Sequence, residues 1–174
     1  MSFNLSSIHL DTTIIDPTLG LTIFEAEVSQ GDSFTSRIPT DRLRSLNWCT
    51  EGNVSVYAKD MTFINTYGVG ERMLVPNPDH LSFGKCVLVC ASNTANYYCL
   101  CGNEDVYYDG EIIQLTANEE RTISNCNGHY MFCSMGTTNS LEKNKILIID
   151  SDSYTVTAGT DGAIITVFYD STDD

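Results

Sequence analysis

The sequence has few basic residues and a large excess of acidic ones. Its 174 residues include 9 Lys and Arg against 23 Asp and Glu, which gives a formal net charge of −14. No basic residue follows Lys145, whereas Asp residues continue to the end of the chain. An electrostatic field of this sign repels phosphate groups and anionic lipid headgroups. We therefore expect no binding to nucleic acid and none to membranes.

Long hydrophobic runs are also absent. The longest unbroken apolar stretch, Cys86–Ala91, is far shorter than the about 20 residues that a membrane-spanning helix requires. The first residues lack the positive and apolar regions of a signal peptide, so we expect synthesis in the cytoplasm. The 7 cysteines are then expected to stay reduced, and their odd number leaves at least one unpaired in a monomer.

Motifs of the common nucleotide-binding, hydrolase and metal sites are missing from the sequence. It contains no phosphate-binding glycine loop, no G-x-G-x-x-G and no G-x-S-x-G. The 3 histidines are far apart, so their spacing brings no two imidazoles to one ion. Carboxylate pairs such as Glu25 and Glu27 have a spacing that any solvent-facing strand supplies. The sequence predicts no enzyme, no catalytic residue, no metal ligand and no cofactor.

Short runs rich in β-branched and aromatic residues are present along most of the chain. Glu111–Leu115 and Ala163–Tyr169 are examples, and turn sequences such as Asn125–Gly128 separate such runs. No long helical pattern lies between them, so a parallel sheet built from βαβ units is not expected. The pattern predicts an all-β fold, either an antiparallel β-sandwich or a jelly roll.

The chain length fits a single domain over residues 1–174. At most one short helix is predicted, near residues 40–48. The basis for this helix is the spacing of Leu43, Leu46 and Trp48, which is compatible with one face of a helix. A glycine soon after this segment limits the helix to two or three turns.

The two ends of the chain carry separate predictions. Ile8, Leu10 and Ile14 alternate with polar residues, which predicts an N-terminal strand or arm within residues 1–16. We expect these three side chains to contact a protein partner. Residues 171–174 are acidic and are expected to form a frayed end.

Four of the cysteines fall on two neighbouring predicted strands. Cys86 and Cys90 share one face of the first strand, and Cys99 and Cys101 share one face of the second. If the two strands form a hairpin, the register decides whether the four thiols meet on one face. Burial as core thiols is favoured over a zinc site, because structural zinc sites use a longer spacing than C-x-C.

One stretch resembles a known family. It has a strand, a short turn and a strand, then G-x-x-x-x-L-x-A starting at Gly110 and M-F-x-S-x-G starting at Met131. This order is similar to the latter half of cupin-like jelly-roll proteins. The resemblance implies a jelly-roll fold. The family's metal ligands are two histidines and a glutamate on an early hairpin and a later histidine. No position here matches them, so metal-dependent activity is not implied.

In overall character the chain also resembles the small accessory proteins of tailed bacteriophage virions, which are acidic, all-β and poor in catalytic motifs. This resemblance implies a non-enzymatic structural or interaction module, such as a capsid decoration protein incorporated in the virion. The expected partners are further copies of the chain in a homo-oligomer, or a capsid lattice. No residue is assigned a function by this resemblance.

Two other functions stay open. The alternative is a small-molecule or carbohydrate-binding jelly roll, in which outward-facing aromatics such as Trp48, Tyr98 or Tyr107 would stack on the ligand. The third is an inhibitor whose acidic surface mimics nucleic acid, an idea that rests on the excess of carboxylates alone.

Overall fold

The computed structural model describes residues 11–16, 20–37, 45–58, 60–74, 85–102 and 106–172. Across these ranges the chain forms 13 strands, all paired antiparallel, and no helix. The predicted all-β antiparallel fold is therefore confirmed. No helix in this part of the chain has the length and apolar character needed to cross a membrane.

The chain divides into two compact units, unit 1 (Met1–Tyr107) and unit 2 (Tyr108–Asp174). The single domain predicted for residues 1–174 stays a prediction.

Unit 1 consists of two four-stranded sheets, in the orders β1-β2-β8-β4 and β3-β7-β5-β6. Its strands are β1 (Asp11–Asp16), β2 (Leu21–Ser29), β3 (Ser33–Arg37), β4 (Ser45–Glu51), β5 (Val54–Tyr57), β6 (Phe63–Tyr67), β7 (Lys85–Cys90) and β8 (Thr94–Gly102). The segment after β6 lies beside β4, because the Gly70 and Met73 amides donate to the carbonyls of Cys49 and Asn47. Early strands thus pair with late ones, β2 with β8 and β3 with β7, which is the nesting of a jelly roll.

The core of unit 1 is formed by side chains from both sheets. Alternate residues of β8, Ala95, Tyr97 and Cys99, belong to the same buried cluster as Leu88 of β7 and Val56 of β5. This alternation follows from the two-residue period of a strand, which sends successive side chains to opposite faces.

The short helix predicted near residues 40–48 is wrong where the structure describes that segment, because Ser45–Glu51 forms strand β4. Residues 41–44 lie outside the described ranges. Both faces of β4 are buried, so Leu46 and Trp48 point to one covered face while the residues between them point to the core. A strand buried on both faces loses the apolar–polar alternation that identifies strands in a sequence, and a helical spacing can then be found by chance.

The N-terminal prediction is tested only in part. Residues 11–16 form β1, which pairs with β2 at the edge of its sheet and places Ile14 opposite Ile23. Ile8 and Leu10 lie outside the described residues. Contact of this segment with a partner stays a prediction.

Unit 2 is organised around one long strand. Its strands are β9 (Tyr108–Leu115), β10 (Glu120–Ser124), β11 (Tyr130–Thr138), β12 (Ile146–Ile148) and β13 (Ser153–Asp170). The first residues of β13 pair with β10, and its last eight pair with β9 on one side while most of them pair with β11 on the other. The sequence indicated two strands here, Tyr154–Thr157 and Ala163–Tyr169, and the structure joins them into one.

The pairing in unit 2 repeats part of the scheme in unit 1. The order β9-β13-β11 corresponds to β2-β8-β4, and the pair β10-β13 corresponds to β3-β7. One continuous strand, β13, thus occupies the places that β7 and β8 fill separately in unit 1. Apolar side chains from β9, β11 and β13, among them Ile113, Cys133 and Ile165, form the core of unit 2.

The frayed end predicted for residues 171–174 is not found at the first two of them. Ser171 is buried, and the Thr172 amide donates to the Asp170 carboxylate over 2.9 Å. A side-chain partner within two residues holds this turn in place. Residues 173–174 lie outside the described ranges.

Candidate functional site

Three polar side chains are buried together in unit 1, and we call them the Asn47 cluster (Ser45, Asn47 and Tyr97). The Tyr97 hydroxyl donates to Oδ1 of Asn47, and Nδ2 of Asn47 donates to the Ser45 hydroxyl over 3.0 Å. Asn47 and Tyr97 have no exposed surface, and Ser45 has almost none. A buried amide is costly unless it is hydrogen-bonded, so these contacts stabilise Asn47 in the core.

The register of β4 against β8 creates this cluster. Ser45 lies opposite Cys101, Asn47 opposite Cys99, and Cys49 opposite Tyr97, so the side chains of all six point to one face. It is the core face, because Cys49, Tyr97 and Cys99 belong to the buried cluster of unit 1. The Phe34 ring meets the Tyr97 ring edge-to-face, with centroids 5.0 Å apart, and helps to fix the position of the phenol.

Two thiols lie next to the Asn47 cluster on β8. The Cys99 thiol donates a hydrogen bond to the Cys101 sulfur and thereby lowers the pKa of Cys101. The same contact, together with burial, raises the pKa of Cys99 well above its ordinary value. Cys99 is buried, whereas Cys101 is half-buried and its Sγ donates to the Thr22 carbonyl over 3.7 Å. The two thiols thus differ in acidity and in access to solvent.

A second thiol neighbourhood involves both sheets of unit 1. Burial raises the pKa of Cys49 to about 12, and the nearby Cys90 thiol raises it further. Burial also raises the pKa of Cys90, whose Sγ donates to the Ser92 carbonyl over 3.3 Å. A neutral, buried thiol is a poor nucleophile, so neither residue is suited to nucleophilic chemistry.

The cysteine hairpin considered from the sequence is wrong. Strands β7 and β8 follow each other along the chain but lie in different sheets, so the four thiols are not side by side on one sheet face. Cys86, Cys90 and Cys99 are nonetheless buried in the common core of unit 1, as favoured by the sequence. All 7 cysteines are free thiols.

A different polar group lies on the opposite face of β8. The half-buried Glu25 carboxylate accepts hydrogen bonds from the Tyr98 hydroxyl over 2.7 Å and from the Asn96 amide over 2.9 Å. Tyr98 is stacked on Trp48, with centroids 5.4 Å apart, and both rings are completely buried. The idea that Trp48 or Tyr98 faces outward to stack on a ligand is therefore wrong. Tyr107 is half-buried.

The site does not fit a metal held by imidazoles and carboxylates. Within the ranges that the structure describes, no group of three or more His, Cys, Asp and Glu side chains could hold a metal ion. His129, in unit 2, stacks on Tyr169 with centroids 4.9 Å apart. The core face of β4 and β8 offers an amide, hydroxyls and thiols instead of an imidazole and carboxylate set.

The Asn47 cluster was missed in the sequence because its members are far apart along the chain. Asn47 and Tyr97 are separated by 50 residues, and only the pairing of β4 with β8 brings them together. The one available signal was Asn47 itself, a polar residue within the apolar run Leu46–Cys49. Reading that run as a helix placed Asn47 on an exposed face.

No family model matches the chain, and no curated protein matches it. Solved structures do. The protein YhaK from Escherichia coli is 11% identical, with a TM-score of 0.55, over 95% of this chain and 91% of that one. The bacterial pirin YhhW from Escherichia coli, in complex with nickel(II), is 14% identical, with a TM-score of 0.54, over 97% and 88%. HutD from Pseudomonas fluorescens is 8% identical, with a TM-score of 0.53, over 87% and 79%.

At these identities the likeness concerns the fold alone. It confirms the part of the sequence resemblance that concerned a cupin-like jelly roll, and it lends no support to the resemblance to bacteriophage accessory proteins. The chain has the fold of cupin-like barrel and jelly-roll proteins.

Proposed function

We propose that the protein binds a small molecule inside unit 1, at the Asn47 cluster. The observation that supports this proposal is a row of three buried, hydrogen-bonded polar side chains within a core that otherwise consists of apolar side chains and thiols. Small-molecule sites in proteins have this composition, with a mostly apolar lining and a few converging polar groups that orient the ligand.

The chemistry of the cluster favours a neutral, polar ligand. Its groups are one carboxamide and two hydroxyls, all of which can donate and accept hydrogen bonds. No charged side chain belongs to the cluster. A charged ligand would lose its hydration on entering this core without gaining an opposite charge, which is unfavourable by several kcal/mol.

Nickel is not part of the proposal, although the structurally similar pirin YhhW is in complex with nickel(II). The part of this chain that the structure describes has no group of three or more side chains suited to such an ion. The proposal is therefore one of binding, and no metal-dependent step is derived.

This proposal replaces the virion accessory protein as the leading function. None of the three structures named above is described as a virion protein, and all three share the jelly-roll fold with this chain. A capsid decoration protein, a homo-oligomer and an acidic inhibitor that mimics nucleic acid stay predictions from the sequence.

The decisive variant is Tyr97→Phe, which removes one hydroxyl from the Asn47 cluster and keeps the aromatic ring. A thermal-shift screen against neutral polar metabolites, followed by calorimetric titration of the hits, identifies the ligand. We expect Tyr97→Phe to weaken its binding by about 10- to 100-fold, because a hydrogen bond in a dry site contributes about 1–3 kcal/mol. Native mass spectrometry of the purified protein would show any ligand that was retained.

The matched control is Tyr154→Phe in unit 2, where the tyrosine hydroxyl is hydrogen-bonded to Ser140. It removes the same atom far along the chain from the cluster, and we expect the affinity to stay within twofold of wild type. A ligand that binds both variants equally well would refute the proposed position. A screen in which no compound raises the melting temperature would leave the cluster with a structural role only.

A further inference from the structure

Cys99 and Cys101 are held at a fixed spacing by the centre of a sheet. Strand β8 is paired on one side with β2 and on the other with β4, so the backbone at both cysteines is restrained by two ladders. Residues two apart in a strand project from the same face, with Cα atoms about 7 Å apart. Both sulfurs therefore project to the core face of the sheet.

The two sulfurs are close enough to interact directly, since the Cys99 thiol donates a hydrogen bond to the Cys101 sulfur. Cys101 is half-buried, which leaves one sulfur of the pair open to an incoming ion. Cys99 is buried on the inner side and is shielded from competing water. The pair has one accessible and one enclosed sulfur.

A disulfide is a poor fit to this geometry. It requires Cβ atoms about 3.5–4.5 Å apart, whereas parallel side chains two residues apart on a regular strand keep their Cβ atoms farther away. A metal ion bridges a wider gap, because two metal–sulfur bonds of about 2.3 Å span up to about 4.6 Å between the sulfurs. The strand can stay regular when an ion, in place of a covalent bond, joins the thiols.

We propose that Cys99 and Cys101 form a binding site for one Cu(I) ion. Thiolates are soft ligands that select soft ions such as Cu(I), and Cu(I) is stable with two sulfur ligands. Zn²⁺ requires a closed set of four ligands, and no group of three or more His, Cys, Asp and Glu side chains is found in the described ranges. Two Cu–S bonds form, the two thiol protons pass to the buffer, and no electron is transferred.

The test is an anaerobic competition between the full-length protein and a chromophoric Cu(I) chelator, bicinchoninate. We expect the wild type to withdraw one equivalent of Cu(I). Cys101→Ser removes one of the two ligands at the accessible position, and we expect it to lower the affinity by more than about 100-fold. Cys133→Ser, which replaces a buried thiol in unit 2, is the matched control and is expected to retain the wild-type affinity.

A second readout is independent of affinity. Iodoacetamide should alkylate the half-buried Cys101 in the metal-free protein and should fail to do so after one equivalent of Cu(I) has bound, as measured by peptide mass spectrometry. Circular dichroism of Cys101→Ser establishes that the variant is folded. If folded Cys101→Ser still binds one Cu(I) with wild-type affinity, or if Cu(I) leaves Cys101 fully reactive, the proposal is wrong.

Cys49→Ser tests the other thiol neighbourhood of unit 1. It lies on the same sheet face as Cys99 but is two residues out of line with the Cys99 and Cys101 pair. We expect it to retain Cu(I). Loss of Cu(I) in Cys49→Ser with retention in Cys101→Ser would place the ion elsewhere and would overturn the proposal. This outcome is separate from ligand binding at the Asn47 cluster, since Tyr97→Phe keeps every thiol.

Discussion

Asn47 has a side chain whose polarity conflicts with its surroundings. Its carboxamide is completely buried, and its hydrogen bonds to Tyr97 and Ser45 offset the cost of removing it from water. An apolar residue of similar volume would fill the same space without needing partners. The presence of a satisfied polar group in such a place is what distinguishes a candidate site from ordinary core packing.

The Cys49 thiol predicts how stability depends on pH. In an unfolded chain the thiol loses its proton near pH 9.0, whereas burial in the native state raises its pKa to about 12. Between these values the unfolded state binds fewer protons than the native state. The free energy of unfolding therefore falls as pH rises, by up to about 1.4 kcal/mol per pH unit for this group. We expect Cys49→Ala to have a shallower decline between pH 9 and pH 11, measured by urea unfolding under reducing conditions.

The control for Cys49→Ala is Val54→Ala, a truncation in the same buried cluster that removes no titratable group. Both variants should be less stable than wild type at pH 7, because each leaves a space in the core. Only Cys49→Ala should change the slope. Equal slopes in all three proteins would show that the Cys49 thiol does not titrate differently in the two states.

The site residues show where single positions of the sequence stop being informative. Burial of Cys86, Cys90 and Cys99 could be predicted, because cysteine is one of the residue types most often buried. The partnership of Asn47 with Tyr97 could not, since it depends on the register of two strands that are distant in the sequence. Local patterns report which way a side chain points but not what it meets.

At the scale of elements, the turn between β4 and β5 depends on Gly52. Its φ of 74° is a left-handed conformation, and a Cβ atom there would come 2.0 Å from the Thr94 carbonyl oxygen and 2.9 Å from the Ala95 Cα. Backbone atoms cannot move aside as a flexible side chain can. We expect Gly52→Ala to lower the free energy of unfolding by more than about 3 kcal/mol, measured by urea unfolding.

Gly31 provides a matched control for Gly52. It also has a left-handed conformation, with a φ of 83°, but a Cβ atom at this position would meet nothing within 4 Å. Gly31→Ala should therefore cost only the conformational strain of about 1–2 kcal/mol. Similar losses in the two variants would show that the approach of β8 to Gly52 is not as tight as the structure describes.

The two wrong predictions about elements have one cause, which is the jelly-roll topology. It buries both faces of β4, so the run from Leu46 to Cys49 shows no polar alternation and was taken for a helix. It also sends β7 and β8 to different sheets, so the short connection between them is not a hairpin within one sheet. Strands with one solvated face, such as Leu21–Val28, were predicted correctly from their alternation.

At the scale of the whole molecule, the net charge of −14 predicts a salt-dependent stability. Like charges repel one another more strongly in the compact state than in the expanded one. Raising NaCl from 0.01 to 0.15 M shortens the Debye length from about 30 Å to about 8 Å and screens this repulsion. We expect the melting temperature, followed by circular dichroism, to rise over this interval.

A further increase in NaCl from 0.5 to 1 M serves as the control, because screening is nearly complete by then. The rise per unit of ionic strength should be much smaller in this range. A melting temperature that is flat at low salt would show that the carboxylates are spaced widely enough to leave the folded state without net repulsion.

The class of the fold could be predicted from the sequence, whereas its division could not. Runs such as Val54–Tyr57 and Tyr130–Ser134 carry the β-branched and aromatic side chains that favour strands, and they form β5 and part of β11. The repetition of the pairing scheme in unit 2 has no counterpart in a sequence repeat. It is a property of strand order, which the turn residues between strands do not encode.

Strand β13 also determines when each unit can be completed during synthesis. Unit 1 has all of its described strands once Gly102 has been made, so its two sheets can close while translation continues. Unit 2 cannot do so, because β9, β10 and β11 all depend on β13 as their common neighbour, and β13 extends to Asp170. Until that residue leaves the ribosome, the earlier strands of unit 2 are nascent segments with unpaired edges, and a chaperone would find its binding sites there.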